Sequence, residues 1–168
     1  AKLVKKLPPQ YVAGFIDGEG CFCICIGRHK TLRSRCEVQV QFEIELRADD
    51  RVILERIQST IGCGRIYDLN YDRYGWFPHV KYRITRKEDI GNKLIPFLLG
   101  YPLQAKKAQS FKVFCKAFKA YQAKKHLEPN GIALFRRLQQ EMRNGGKKLV
   151  TARVRENRLP SGVGEIEE

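Results

Sequence analysis

The chain has 168 residues, 43% of them hydrophobic, and its 32 Lys plus Arg outnumber 18 Asp plus Glu to give a net charge of +14. That length suits one domain with a core of its own. No apolar run is long enough to cross a bilayer, and the basic start (Lys2, Lys5, Lys6) leads into Pro8-Pro9 rather than a signal-peptide core. Charge of this size favours a polyanionic partner, most simply nucleic acid, over a membrane surface, because no interfacial basic helix or lipidation motif accompanies it.

Pro9 suits the first position of a helix that runs to about Gly18–Gly20. Within it Gly14 and Gly18 are four residues apart and share one face, with Ala13 beside them. Small residues at that spacing let another helix come close, or pack against the chain's own core. A strand follows at Cys21–Ile26, then a basic turn with Arg28, Lys30, Arg33 and Arg35. In the next strand Val38, Val40, Phe42, Ile44 and Leu46 alternate with Glu37, Gln39, Gln41, Glu43 and Glu45. Alternation of that length means a sheet with one face on a core and the other free to solvate or meet a polar partner.

Asp49 suits the N-cap of a second helix carrying Leu54, Ile57 and Ile61 and stopped by Gly62. Two strands follow, near 65–69 and 77–85, joined by the aromatic turn around Arg73–Trp76. A third helix covers about 88–99, and Tyr101-Pro102-Leu103 breaks the chain before a long helix carrying Phe111, Phe114 and Phe118. Pro129 opens a last helix. The order is αββαββα plus C-terminal helices, an α+β fold with helices on one face of an antiparallel sheet. The domain is expected over 1–144, with a basic, loosely held tail over 145–168, and no internal repeat is present.

Six cysteines lie at 21, 23, 25, 36, 63 and 115, the first three alternating along one strand. They match no CxxC zinc spacing, and His29, His79 and His126 do not complete one. Free thiols in this number suit an intracellular, reducing compartment.

Glu19 carries the chemistry. The last carbonyls of a helix lack intrahelical donors and bear partial negative charge, so a carboxylate there is unfavourable without a cation. The Glu19 carboxylate and the Gly18 carbonyl offer hard oxygen ligands suited to Mg²⁺. Pairing two such helices would bring two carboxylates together, an arrangement used in metal-assisted phosphodiester hydrolysis.

The run Val12-Ala13-Gly14-Phe15-Ile16-Asp17-Gly18-Glu19-Gly20 resembles the motif of the LAGLIDADG homing endonucleases. So do the strand order, the basic turn, the Ile61-Gly62-Cys63-Gly64 corner and Tyr101-Pro102-Leu103-Gln104-Ala105-Lys106-Lys107; the likeness covers roughly 8–120. It implies a saddle-shaped sheet lying on double-stranded DNA and a site-specific, metal-dependent endonuclease acting at a long, pseudo-palindromic site. Because the motif (helix 9–20) occurs once, it further implies a homodimer meeting at Ala13, Gly14, Asp17 and Gly18, with Asp17 supporting the paired helix ends.

The polar strand face would carry DNA contacts at Cys23, Cys25, Glu37, Gln39, Gln41 and Glu43, flanked by Arg28, Lys30, Arg33 and Arg35, with Tyr67, Arg73, His79, Lys81 and Arg83 as further candidates. Gln suits adenine, Glu cytosine, and Arg guanine or phosphate. Glu19 would be the catalytic metal ligand, with Gln104, Lys106 and Lys107 as accessory catalytic residues. Three positions depart from the family pattern. Glu19 stands where many members have Asp, Leu46 where some have a water-ordering Gln, and Gln104 where some have a basic residue. An RNA-splicing maturase bound to intron RNA, or a non-cleaving DNA-binding protein, are the alternatives on this fold. Family habit implies an organellar origin, in chloroplast or mitochondrion.

Overall fold

A computed structural model describes residues 4–156, with side chains described through residue 144. The first helix, α1 (Pro9–Glu19), opens on a proline, whose missing N–H costs nothing at that position. It buries Val12, Ala13 and Ile16. Gly20 ends it and turns the chain directly into β1 (Cys21–Arg28). A Cβ on Gly20 would lie 2.7 Å from the Ile16 carbonyl oxygen and 3.0 Å from the Phe42 ring, so close packing excludes any side chain there.

The sheet is four-stranded and antiparallel, in the order β1, β2 (Cys36–Arg47), β4 (His79–Ile84), β3 (Arg65–Leu69). Its register separates two faces cleanly. Phe22, Ile24, Val38, Val40, Phe42, Ile44, Val80, Tyr82 and Ile84 are all buried. Against them lie α2 (Arg51–Ile61), α5 (Lys107–Gln122) and α6 (Gly131–Glu156). Phe22 is the hinge of this layer, with ring centroids 5.2 Å from Phe42, 5.5 Å from Phe111 and 5.0 Å from Phe114. Each such ring contributes roughly 1.5–3 kcal/mol by leaving water. The chain before α1 is strapped to α2: the Leu7 N–H donates to Thr60 Oγ1 at 2.8 Å, and Arg56 Nε donates to the Lys5 carbonyl at 3.0 Å.

Several boundaries differ from the sequence reading. Asp49 does not cap α2. It sits in a 3₁₀ turn, Ala48–Asp50, and pairs with Arg47 at 2.8 Å, so that ion pair takes the carboxylate a cap would need. The third helix splits into α3 (Lys87–Asp89) and α4 (Ile95–Gly100) around a π turn, Ile90–Leu94, which ends two residues before Pro96, a residue with no N–H to give an α-helical ladder. The last helix starts at Gly131 rather than Pro129, after Asn130 at φ +63°. It also runs on to Glu156, past the boundary expected at 145. Gly145-Gly146 costs a helix about 1 kcal/mol per residue, too little to end one whose following residues include good helix formers. The remainder of the expected tail, 157–168, lies outside the described residues.

Candidate active site

Glu19 is the last residue of α1, and its carboxylate is exposed, with no hydrogen bond or ion pair among the described residues. Two tethers fix its surroundings. The Asp17 carboxylate accepts the backbone N–H of Gln104 at 2.6 Å and that of Ala105 at 3.2 Å, pinning the turn before α5 to the motif helix. Lys107, the first residue of α5, donates from Nζ to the Gly20 carbonyl at 2.5 Å. Asp17, Gly18, Glu19, Gly20, Gln104 and Lys107 therefore belong to one small region. Gln104 turns its amide onto the Pro102 carbonyl at 2.9 Å, while Lys106 is exposed and points to no partner among the described residues.

Gly14 and Gly18 on the small-residue face of α1 are not covered by the chain's own core among the described residues. A Cβ on Gly14 or Gly18 would have nothing within 4 Å. Ala13 and Gly14 instead border an open groove of about 460 Å³ with Asp17, Tyr101, Pro102 and Gln104. Ala13 itself is 6% exposed and forms the wall where groove meets core.

Gly20 places the start of β1 beside Glu19, and strand register carries the site across the sheet. Cys21 pairs with Glu43, Glu43 with Arg83, and Arg83 with Arg65. Successive rows of the same face hold Cys23 and Gln41, then Cys25 and Gln39, with Glu37 beyond. On the other side come Glu45, Lys81 and Tyr67, then His79. The strand candidates thus share one face. Arg28, Lys30, Arg33 and Arg35 are exposed at the far end, Arg28 closing β1 and Arg35 in a left-handed turn at φ +56°.

These residues are not equally free. Gln41 is only 8% exposed. Glu43 is held by Lys81 at 3.4 Å and Arg83 at 3.1 Å, and Lys81 also reaches Glu45 at 3.0 Å. Burial opposes the Lys81 charge, but the two carboxylates outweigh it and hold its pKa above the usual lysine range. Burial likewise opposes ionisation of Glu45, yet the Tyr71 hydroxyl, donating at 2.8 Å, and Lys81 keep its carboxyl below the usual range. His79 is tied to the Phe77 carbonyl at 2.9 Å and packs 5.0 Å from the Tyr71 ring. Arg73 lies over Tyr74 at 5.4 Å in a turn whose Trp76 is 63% exposed.

The cysteine row has chemistry of its own. Cys21 and Cys23 place their sulfurs 3.4 Å apart. That hydrogen bond stabilises the Cys21 thiolate, and although burial and Glu43 oppose it, the thiol's pKa falls to about 7. Cys23 is pushed far up by the same bond and by burial.

One carboxylate and the carbonyls at a helix end fit a hard cation, and Mg²⁺ commonly takes one or two carboxylates and completes its shell with water or substrate oxygens. Among the described residues no three His, Cys, Asp or Glu side chains converge as a ligand set. Sequence reasoning passed over Arg65, Arg86 and Lys93, which gather at the outer edge of the sheet. The alternation that singled out Tyr67 also places Arg65 on the polar face.

The family model described as LAGLIDADG endonuclease matches residues 12–118. The chain is 34% identical over 127 residues to probable intron-encoded endonuclease 3 of Neurospora crassa, covering 76% of this chain and 23% of that protein. It is 33% identical over 104 residues to homing endonuclease I-ApeII of Aeropyrum pernix, covering 62% and 58%. Among solved structures, I-SmaMI bound to cleaved DNA superposes with a TM-score of 0.75 at 29% identity, covering 82% of this chain and 44% of that one. I-LtrWI bound to target DNA gives 0.73 at 27% identity, covering 80% and 44%. The chain thus spans about a quarter of the Neurospora relative and under half of each of these solved chains.

Proposed function

The chain belongs to the LAGLIDADG endonuclease family, and from that premise we propose that it is a site-specific, divalent-metal-dependent DNA endonuclease whose active site is completed by a second copy of the same fold. The observation that supports this most is the open face of α1. Among the described residues, nothing lies within 4 Å of a Cβ on either of its two glycines, and the helix ends on a carboxylate with no partner. Two such helices in contact would bring two Glu19 carboxylates to the pairing axis, one for each DNA strand.

In this reading Glu19 and the Gly18 carbonyl hold the cation, for which Mg²⁺ is the proposed ion. When bound there it supplies positive charge against the oxygens of the scissile phosphate. Water attacks phosphorus and gives up a proton to solvent, the P–O bond on its far side breaks, and the leaving oxygen takes up a proton from solvent. Lys107, fixed on the Gly20 carbonyl, sets positive charge beside the phosphate, and exposed Lys106 adds to the field. Asp17 positions rather than reacts, because both its oxygens are occupied by the turn before α5. The sheet face from Cys23 to Glu43 lies in the major groove, with the exposed Gln39 and Glu37 as base-reading side chains and the basic turn on phosphates.

A second copy of the chain is the proposed partner, making a symmetric dimer and a roughly palindromic site. The solved relatives, of which this chain matches 44%, favour a second reading in which the partner fold follows or precedes on one longer polypeptide. The names of the fungal relatives, such as a protein of an ND4 intron in Podospora anserina, support an intron-encoded, mitochondrial origin. Incubating the chain with a random duplex library, with and without Mg²⁺, tests the activity. Enrichment of one long cleaved site only with metal is the expected result. No cleavage of any duplex, or equal cleavage in chelator, would overturn it.

A further inference from the structure

At the outer edge of the polar sheet face the chain has a basic hollow away from the acid site, bordered by two of the strand candidates, Tyr67 and Arg83. It has a volume of about 450 Å³ and lies where β3, the end of β4 and the start of the α3–α4 stretch meet. Arg65, Arg83, Arg86 and Lys93 line it, with Asp89 the one acid and Tyr67 at its side. Its charges are unevenly spent. Arg83 is engaged by Glu43 at 3.1 Å, and Lys93 donates to the Gly62 carbonyl at 2.6 Å. The guanidinium groups of Arg65 and Arg86 make no hydrogen bond or ion pair among the described residues. Two uncommitted guanidinium forks in a concave basic site match the planar oxygen pairs of a phosphate.

Register says where that phosphate would come from. Arg65 stands in the row Cys21–Glu43–Arg83–Arg65, so it faces the same side as the proposed DNA surface. It is three strands from β1, roughly 14 Å at ordinary strand spacing. That is too far to touch a phosphate being cut beside Glu19, and close enough for the same duplex to reach. We propose that this hollow seats one backbone phosphodiester of the bound duplex, held by Arg65 and Arg86. It rests on the DNA reading above. It adds a sequence-independent anchor at the outer edge strand that sets register without taking part in the chemistry.

The test compares the full chain with an Arg65→Ala/Arg86→Ala double variant. Both side chains are exposed, so folding is expected to survive, and Arg65→Gln/Arg86→Gln serves as a second variant if it does not. Equilibrium binding is measured as a function of NaCl on the selected cleavage site and on an unrelated duplex of equal length. One lost phosphate contact lowers the slope of log K against log salt by about 0.9 and weakens both duplexes by the same factor. Cleavage at saturating protein stays at the wild-type rate, and Arg65→Lys/Arg86→Lys keeps most of the slope. An unchanged slope in the Ala variant, beside steep wild-type binding, overturns the anchor alone. Loss confined to the selected site would mean base reading and also overturn it. A wild-type chain that binds neither duplex would remove the DNA reading and the anchor with it.

Discussion

Gly14 separates the needs of the fold from the needs of the proposed helix pairing. It lies in mid-helix, exposed, with nothing among the described residues within 4 Å of where a Cβ would stand. Glycine in a helix interior costs about 0.8–1 kcal/mol relative to alanine, so Gly14→Ala should stabilise the isolated chain by that amount. In a chain of this length the gain corresponds to a rise in Tm of about 2–4 °C. Gly14→Leu should keep most of it, since leucine is also a strong helix former. For a partner helix the outcome reverses, because the leucine side chain fills the space through which the second backbone must approach. Thermal unfolding is measured at a dilution where sedimentation velocity shows monomers, and cleavage is assayed on the selected duplex. The expected pattern is a Tm at or above wild type with cleavage abolished in Gly14→Leu. Gly20→Ala is the contrast: its Cβ would meet the Ile16 carbonyl at 2.7 Å, so it should unfold at lower temperature. A Gly14→Leu chain that unfolds early, or that cuts as fast as wild type, would refute the reasoning.

Other consequences can be checked separately. Asp17→Ala removes the acceptor for two backbone N–H groups and should destabilise the chain by roughly 1–3 kcal/mol in urea unfolding while lowering the cleavage rate; unchanged stability would show that the turn holds itself. Iodoacetamide should label Cys21 first among the six thiols, with a rate that rises through a pH of about 7, and Cys23→Ala should move that midpoint upward; labelling that follows an ordinary thiol would contradict the Cys21–Cys23 hydrogen bond. Glu45 titrates below its unfolded value, so its stabilisation is complete above the unfolded pKa and disappears as pH falls through the folded one. Tyr71→Phe should therefore be less stable than wild type at neutral pH and equal to it in strong acid, and a gap that persists in acid would assign Tyr71 a purely packing role.

The sheet was legible because its signal is local and redundant. Each apolar side chain from Val38 to Ile44 lands on the buried face, and one slip of register would have exposed them all. Helix ends were less so, since they depend on contacts far along the chain. Asp49 looked like a cap until Arg47 took its carboxylate, and no local pattern announces the π turn at Ile90–Leu94. At the site, the position of Glu19 followed from the motif, but the roles of its neighbours needed tertiary contacts. Asp17 reaches residues 104 and 105, and Lys107 reaches Gly20, separations that periodicity does not encode. The free state of each polar side chain was equally invisible: Gln41 is buried and Glu43 is shared between two cations, whereas Gln39 stays open. The basic hollow combines two strand residues, Arg65 and Arg83, with Arg86 and Lys93 from beyond Thr85, and only the folded chain brings them together.

In the proposed endonuclease, Glu19 is the group through which the chain cuts DNA. Glu19→Gln keeps the size and exposure of the side chain and removes its charge, so folding and duplex binding should be unaffected. The decisive measurement is single-turnover cleavage of the selected duplex by wild type and Glu19→Gln at equal, saturating occupancy in Mg²⁺. Full binding with cleavage lost on both strands is the expected result. Cleavage by Glu19→Gln at the wild-type rate would contradict it.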